Sequence, residues 1–530
     1  MLRSSHREPL RLSALAAGLC GLALIAFPLP DLARADAGAP PALQDPALPA
    51  LPRSKAEAAR IRGVVAAPAD FSAPEPFEAM PGGAATSRKR PNQDAFSQSS
   101  ANMPFERELD FKLGNGLFRK LWVSAPSSTR ASDGLGPLYN ARSCQRCHLK
   151  DGRGHPPMGE GEERSVSAFL RISIPAPRDA LPAALAAVEG YVATAPDPVY
   201  GGQLQDFGIP GMAAEYRLGV TWTEVPVTLS DGETASLRRP DWRAEALGYG
   251  PLAPGAMLSP RVAPQMIGLG LLEAIPAADI LAAEDPEDAD GDGISGRANI
   301  VWSQAAGRPL LGRFGLKAGM PSIEEQSAAA FSGDIGISTP LFPAGTGDCT
   351  PAQTACLAAP DGGDPAHGGL EADAEAMRLV TFYARNLAVP ARRDWDDPQV
   401  LRGKAMFHAA GCAACHTPKF VTARLTDRPE QSFQLIWPYT DLLLHDMGEG
   451  LADHRPEGRA TGTEWRTAPL WGVGLTERVS GHTYFLHDGR ARSLLEAVLW
   501  HGGEARAARD RVAEMPQDDR AALIRFLESL

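Results

Sequence analysis

Two copies of a Cys-x-x-Cys-His pentad constrain this chain more than any other feature of its 530 residues. They are Cys144-Gln145-Arg146-Cys147-His148 and Cys412-Ala413-Ala414-Cys415-His416. Two thiols at this spacing can form thioether bonds to the vinyl groups of a haem, and the following histidine becomes an axial ligand of the iron. Half of a zinc site or a thioredoxin-like dithiol would need only Cys-x-x-Cys, and neither copy lies in a βαβ pattern. The pentads therefore predict two covalently bound haem c groups.

Residues 1–35 have the pattern of an export signal. Three arginines precede an apolar run from Leu12 to Phe27, and Ala33-Arg34-Ala35 has the small-x-small pattern of a cleavage site. A membrane anchor is the alternative, but the run is short for a span and two prolines follow it. Since no later segment is long and apolar enough either, the sequence predicts a periplasmic protein without a membrane span.

Cysteine usage and charge narrow the class of protein further. Cleavage of the signal would remove Cys20, which leaves Cys349 and Cys356 as the two cysteines outside the pentads. In an oxidising compartment these two are expected to form a structural disulfide. The net charge of −12 argues against a nucleic-acid partner and would suit a basic small redox protein as the electron donor.

Composition and periodicity predict a mainly α-helical fold with two cytochrome c-like domains. The stretch 36–95 is rich in Ala and Pro and is expected to be an arm or linker. Residues 96–394 would form the first haem domain, which includes a β-containing insertion and an acidic loop. Residues 395–530 would form the second haem domain.

Individual elements follow from the spacing of apolar residues. Phe111, Phe118 and Trp122 recur at helical spacing and predict a helix before the first pentad. Helical patterns are also present over Ala263–Leu269, Ala278–Glu284, Ser322–Phe331 and Glu371–Leu387. Alternating runs on both sides of Ser230-Asp231-Gly232 predict a β-hairpin inserted into the helical first domain.

An acidic, Gly-rich loop lies between the pentads. Asp288, Asp290 and Asp292 take positions 1, 3 and 5 of a calcium-binding loop, Gly takes position 6, and Ile294 would donate its backbone carbonyl. Asn299 replaces the glutamate that is usual at position 12, so the loop is not a complete helix-loop-helix site. An acidic surface turn without an ion is the alternative. We expect a structural calcium ion here.

Further motifs surround the pentads, all within residues 105–530. They are Gly134–Asn140, Asp151–Gly154, Tyr200–Gln203, Leu442–Gly448 and His487–Arg490. Together they resemble the di-haem oxidoreductase family often labelled thiol oxidoreductase-like, which is similar in turn to bacterial di-haem cytochrome c peroxidases. The resemblance implies one haem per domain with calcium between them. It also implies that hydrogen peroxide is reduced at the N-terminal haem while the C-terminal haem receives electrons.

The resemblance also implies a second protein ligand for the C-terminal haem. In the relatives this ligand stands fourteen residues after the His of a His-x-Gly motif, and the same count from His487 reaches His501. The relatives have Met or Tyr there, so His501 is a departure. Together with His416 it would give an iron of lower potential than a thioether ligand gives. Met447 is the alternative ligand, and His445 is expected to be a supporting residue.

At the N-terminal haem, the resemblance implies a pocket for peroxide. The relatives place a Gln and then an acid in this pocket, and Gln326 followed by Asp334 matches that order. Gln326 would orient peroxide, and Asp334 would move a proton between its two oxygens. A helix cap or turn role is the alternative for Asp334. His155 or Met158 could also bind this iron and close it.

The choice between an enzyme and an electron carrier depends on this iron. A non-enzymatic electron-transfer cytochrome needs both irons saturated, whereas a peroxidase needs one open. Oxidation of a thiol or of a protein side chain is another enzymatic alternative, although no cysteine remains free for thiol chemistry. The relatives have a Trp just upstream of the Gln, where this chain has Phe314-Gly315-Leu316, so Trp302 is a candidate bridge between the haems. We expect a peroxidase.

Overall fold

The computed structural model of the chain describes residues 43–157 and 167–530. The predicted export signal and Met158 lie outside the described residues. Within the two described ranges, no helix combines the length and the apolar character that a membrane crossing needs.

The α-helices of the described residues are short, with between 4 and 13 residues each. The 53 Gly and 47 Pro of the chain account for this, because both residue types interrupt helices. The helices are α1 Lys55–Val65, α2 Glu108–Arg119, α3 Cys144–Cys147, α4 Ala183–Ala186, α5 Leu269–Glu273, α6 Ala277–Leu281, α7 Ile323–Ala330, α8 Thr354–Leu357, α9 Ala374–Arg385, α10 Pro398–Ala409, α11 Thr476–Ser480, α12 Leu494–Leu499, α13 Arg506–Glu514 and α14 Gln517–Ser529.

The strands are mostly short as well. They are β1 Ala50–Leu51, β2 Val123–Ser124, β3 Asp133–Leu135, β4 Leu138–Tyr139, β5 Ala168–Pro175, β6 Thr194–Ala195, β7 Phe207–Gly208, β8 Arg217–Thr228, β9 Thr234–Glu245, β10 Met257–Val262, β11 Ile300–Ser303, β12 Arg308–Leu311, β13 Phe420–Val421, β14 Arg424–Leu425, β15 Leu435–Ile436, β16 Leu444–Asp446 and β17 Glu464–Arg466. Strands β10, β5 and β6 form a three-stranded sheet in that order, and the others pair two by two.

The prediction of a mainly α fold is wrong. The structure is 30% helical and 18% strand. Much of the strand content is the antiparallel hairpin of β8 and β9, with twelve residues in each strand. The rest is spread over pairs of two to eight residues, which are too short to show an alternating pattern in the sequence.

Most of the element predictions near the pentads are confirmed. Helix α2 precedes the first pentad, with Phe111 and Phe118 buried. The β8–β9 hairpin forms around the predicted turn. The disulfide between Cys349 and Cys356 is also present.

The helix predicted over Ala263–Leu269 is wrong. Helix α5 begins only at Leu269, and the residues before it are extended or in turns. Gly268 has a φ of +71°, and a Cβ there would lie 2.3 Å from the ring of Trp471. This non-helical path leaves the carbonyl of Pro264 free to accept a hydrogen bond from outside the segment.

A glycine-mediated helix crossing supports each pentad. Helix α2, which precedes the first pentad, packs on α9, and a Cβ at Gly114 would lie 2.2 Å from the carbonyl oxygen of Leu379. Helix α10, which precedes the second pentad, packs on α14, and a Cβ at Gly403 would lie 1.9 Å from the carbonyl oxygen of Ala522. Only glycine allows backbones to approach this closely.

The β8–β9 hairpin belongs to the first half of the chain but lies on the second. Leu229 and Leu237 of the hairpin form a small apolar cluster with Leu499 of α12. Arg492, just before α12, makes an ion pair with Glu224 of β8 at 2.9 Å. The hairpin thus covers the helix that precedes His501.

The segment predicted as an arm, residues 36–95, contacts residues on both sides of position 395 over its described part, and Arg53 makes an ion pair with Asp279 at 2.8 Å. Arg53 donates a hydrogen bond to the carbonyl of Val421 at 2.7 Å. Glu78 is buried and accepts from Lys404 at 2.8 Å. The backbone N–H of Trp437 donates to the carbonyl of Pro81 at 2.8 Å. The segment is therefore packed against residues 395–530 and also against α6.

Candidate functional site

One cavity of about 960 Å³ is lined by residues of both pentads. All four pentad cysteines and both pentad histidines contribute to its wall, together with His501. The cysteines form no disulfide. Their sulfurs are therefore available for thioether bonds, and the two predicted haem sites share one interior.

The first pentad forms a single helical turn that ends at His148. The backbone N–H of His148 donates to the carbonyl of Cys144 at 3.0 Å, and Nδ1 lies 2.8 Å from the carbonyl oxygen of Pro264. Because a carbonyl can only accept, Nδ1 carries the hydrogen and Nε2 keeps its lone pair. Burial lowers the pKa of His148 to about 4, so the imidazole is neutral. A neutral imidazole with a fixed tautomer is a prepared metal ligand.

The second pentad prepares two imidazoles in the same way. Nδ1 of His416 lies 2.9 Å from the carbonyl oxygen of Tyr439. Nδ1 of His501, just after α12, lies 2.8 Å from the carbonyl oxygen of Ala497. Burial, and to a smaller extent the proximity of His501, lower the pKa of His416 to about 4. Both Nε2 atoms are thus available as metal ligands on neighbouring side chains of the cavity.

The other candidate side chains near the second pentad differ in their surroundings. Met447 also lines the cavity. Both ring nitrogens of His445 are engaged, with Asp441 at 2.8 Å and Glu504 at 2.7 Å, and the ring supports this pair of carboxylates. His487 stacks on Trp465 with ring centroids 3.8 Å apart.

Gln326 and Asp334 line the cavity together with His148. Gln326 lies on α7, whose first turn is capped by the Ser322 hydroxyl. No described residue forms a hydrogen bond with its side-chain amide. Asp334 follows on a π-helical turn, Phe331–Ile335, that extends α7. Gln326 and Asp334, which were predicted from their order in the sequence, therefore both lie on the wall of one cavity.

Asp334 is tied closely to the first pentad. Its carbonyl accepts hydrogen bonds from the N–H groups of Asn140 at 2.8 Å and Ala141 at 3.0 Å, just before Cys144. Its carboxylate accepts from Nε2 of Gln203 at 2.8 Å, a side chain rather than the N–H groups of a helix start. Burial raises the pKa of Asp334. A carboxyl with a raised pKa is suited to exchanging a proton.

Two residues suggested by the sequence lie away from the cavity wall. Nδ1 of His155 lies 2.9 Å from the carbonyl oxygen of Pro156, and its ring packs against the edge of His482. Trp302 lies on β11. Neither is among the residues that line the cavity, whereas Trp465 and Trp471 are.

The remaining polar groups of the wall fit a cofactor that carries carboxylates. Arg153, Arg313 and Arg466 line the cavity, and none makes an ion pair with a described residue. Burial lowers the pKa of each guanidinium to about 10. Arg313 is buried and the other two are half-buried, and all three donate to backbone carbonyls. Haem propionates would add the counter-charge that these carbonyls do not supply. Sequence reasoning missed these arginines because they are far apart in the chain and belong to no motif.

The acidic loop brings together a different set from the predicted one. Oxygens of Asp285, Asp288 and Asp290 lie within 4.8 Å of one another. Asp292 instead accepts from the N–H of Ile294 at 2.9 Å, and both of these residues line the large cavity. Asp285 was missed, although it stands three residues before Asp288 in the same acidic run.

Comparison with known proteins identifies the class. Residues 78–251 and 252–530 match the family described as "Di-haem oxidoreductase, putative peroxidase". No curated protein matches the chain. Among solved structures, a chain of "Kuenenia stuttgartiensis Hydrazine Synthase Pressurized with 20 bar Xenon" has 15% identity and a TM-score of 0.21, over 31% of this chain and 56% of that one, a likeness too low to support an argument.

The family match covers both pentads and confirms the resemblance drawn from the motifs. The family implies haem cofactors and oxidoreductase chemistry, which the prepared imidazoles and the arginines of the cavity wall fit. The chain belongs to the di-haem oxidoreductase family.

Proposed function

We propose that this protein is a periplasmic di-haem peroxidase of the c type. Each pentad would attach one haem through its two cysteines, with His148 as ligand at the first site and His416 with His501 at the second. Hydrogen peroxide would be reduced at the first site. Electrons from a small redox protein would enter through the second site.

The observation that carries the proposal is the difference between the two sites. At the second pentad, His416 and His501 each direct a neutral imidazole into the cavity. Asp334 adjoins the first pentad through Asn140 and Ala141, and Gln326, on the helix that leads to Asp334, lines the same cavity. Two imidazoles saturate an iron and suit electron transfer, whereas an amide and a carboxyl suit a substrate that must be oriented and protonated.

The residues at the first site would act on peroxide directly. A bound haem would supply an iron that binds peroxide and exchanges electrons with it. The amide of Gln326, which bonds to no described residue, would donate a hydrogen bond to orient the substrate. The Asp334 carboxylate would take the proton from one peroxide oxygen and return it to the other, so that the O–O bond breaks with water as the leaving group. With two electrons and two protons, peroxide yields two water molecules.

A structural calcium ion forms part of this proposal. Asp285, Asp288 and Asp290 offer three carboxylate ligands, which is the ligand type that calcium prefers. Ser295 in the same loop donates to Glu504 at 2.9 Å, and Glu504 bonds to His445 beside Cys415. An ion in this loop would therefore stabilise the surroundings of the second pentad.

Electron paramagnetic resonance of the purified ferric protein tests the assignment. We expect one high-spin signal from the first haem and one low-spin signal from the second. Steady-state peroxide reduction with a reduced small cytochrome as donor would accompany these signals. Two low-spin signals and no turnover would instead indicate an electron-transfer cytochrome.

A further inference from the structure

The motif Tyr200–Gln203 takes no direct part in the proposed reaction, yet its backbone closes around the carboxylate of Asp348. The N–H groups of Gly202 and Gln203 donate to Oδ2 of Asp348 at 2.6 and 3.2 Å. Gly201 has a φ of +70°, and a Cβ there would lie 2.4 Å from the same oxygen. Gly201 therefore lets the backbone close around Asp348, and the two N–H groups that follow it fix where the Gln203 side chain starts.

The position of Asp348 is itself fixed from two sides. Its neighbour Cys349 is linked to Cys356 by the disulfide. On the other side, a Cβ at Gly347 would lie 2.7 Å from Cα of Gly336 and 2.8 Å from the carbonyl oxygen of Ser332. The disulfide loop thus packs directly on the π-helical turn that carries Asp334.

The side chain of Gln203 spans the remaining distance to Asp334. Its Nε2 donates to Oδ1 of Asp334 at 2.8 Å and to Oδ1 of Asn140 at 2.6 Å. Nδ2 of Asn140 donates in turn to Oδ1 of Asp206 and to the carbonyl of Leu204, both at 2.9 Å. Because each amide nitrogen faces two acceptors, the orientation of both amides is determined.

This arrangement has two chemical consequences for Asp334. Oδ1 is occupied by an amide N–H, and no described residue bonds to Oδ2, which is thus the oxygen available to the cavity. Gln203 donates both to Asp334 and to Oδ1 of Asn140, and neither amide has a proton to give up near neutral pH. A proton taken by Asp334 therefore returns through the cavity and does not escape along the amides.

We propose that Gln203 is a positioning residue that aims the free oxygen of Asp334 at peroxide. The inference rests on the proposed function, because it assigns Asp334 the proton transfer. Its place in the structure explains the glycine at position 201, since the close approach of Gly201 to Asp348 and the packing of the disulfide loop hold the Gln203 amide.

The hydrogen bond from Gln203 favours the ionised form of Asp334 and opposes the effect of burial. Arg171 also favours the ionised form. Burial raises the pKa of the Cys144 and Cys147 thiols, and the charge of the nearby Asp334 carboxylate raises it further. Loss of the Gln203 amide should therefore move the titration of Asp334 to higher pH.

The test compares Gln203→Leu with Gln205→Leu in the full-length protein with both haems. Gln205 is a matched control, because its Nε2 donates at 2.7 Å to the carbonyl of Gly333 on the same π-helical turn without touching the carboxylate. We would measure the pH profile of kcat/KM for peroxide. We would also follow the Asp334 carboxyl by infrared difference spectroscopy, with its band assigned by its loss in Asp334→Asn.

In Gln203→Leu we expect the infrared titration and the acidic limb of the profile to move together to higher pH, and kcat/KM to fall about tenfold at pH 7. Gln205→Leu should leave both titrations in place. If Gln203→Leu does not fold, Gln203→Glu keeps the size of the side chain and should shift the same two titrations upward.

An unchanged infrared titration in the folded Gln203 variants would overturn the inference. An equal shift in Gln205→Leu would also overturn it, because general loosening of the turn would then be the cause. An infrared shift without any change in peroxide turnover would support the positioning of Asp334 and would contradict its proposed role in proton transfer.

Discussion

The two pentad sites are built alike on the histidine side and differently elsewhere. In both, a backbone carbonyl fixes the hydrogen on Nδ1 of the pentad histidine, from Pro264 at the first site and from Tyr439 at the second. The two sites differ in the groups close to them. His501 lies near His416 at the second site, whereas Asp334 adjoins the first pentad and Gln326 lies on the helix that leads to it. The same orientation of a ligand histidine is therefore combined with different neighbours at the two sites, which is the basis for proposing that they have different functions.

The largest expected effect comes from removing the imidazole that distinguishes the second site. His501→Ala should abolish the low-spin ferric signal of the second haem and stop electron delivery to peroxide, because one axial ligand is lost. Electron paramagnetic resonance checks this. Met447→Leu is the matched control, and a low-spin signal lost in that variant but kept in His501→Ala would assign the ligand to Met447.

The next largest effect is expected from removing the carboxyl that distinguishes the first site. Asp334→Asn keeps the size of the side chain but cannot accept the peroxide proton, so kcat/KM should fall about 100-fold. Stopped-flow kinetics of peroxide reduction measure the loss. The low-spin signal of the second haem should be unchanged, and a variant with normal turnover would show that the two sites do not differ in the way proposed.

A smaller effect is expected for the amide beside it. Gln326→Leu removes a hydrogen bond worth about 1.4 kcal/mol, so kcat/KM should fall about tenfold. The acidic limb of the pH profile should not move, because it reports the titration of Asp334, which remains in this variant. A loss as large as that of Asp334→Asn would give Gln326 more than an orienting role.

The smallest effect concerns the acidic loop near the second site. Added calcium should raise the melting temperature by about 3 °C, because it binds the folded state. Asp288→Asn should remove this response, whereas Asp396→Asn, at an exposed position outside the loop, should keep it. Differential scanning calorimetry with and without a chelator measures both. Equal responses in the two variants would place the calcium effect elsewhere.

The sequence predicted those residues that belong to motifs with a fixed spacing. The pentads contain their own ligand pattern, and a fixed count from His487 leads to His501. The hydrogen-bond partners of these ligands could not be predicted, because the carbonyls of Pro264 and Tyr439 carry no residue-type signal. The same holds for Gln203, whose partner Asp334 lies 131 positions away in the chain.

The fold class was the weakest prediction for a related reason. Apolar periodicity detects helices such as α2 and α9, but strand pairs of two or three residues give no period to detect. The segment Ala263–Leu269 has apolar residues at helical spacing, yet Gly268 is in the left-handed region and Trp471 occupies the space where a Cβ would lie. Tertiary packing overrides the local pattern there.

The β8–β9 hairpin has a consequence for how this protein can be divided. The hairpin precedes residue 250 in the chain, yet its Leu229 and Leu237 pack on Leu499 of α12, the helix that precedes His501. A fragment cut at the predicted domain boundary near residue 395 would expose Leu499 to water and lose the Arg492–Glu224 ion pair. The two halves are therefore not interchangeable modules. Exchanging one of them with a relative would require the hairpin to travel with the C-terminal half.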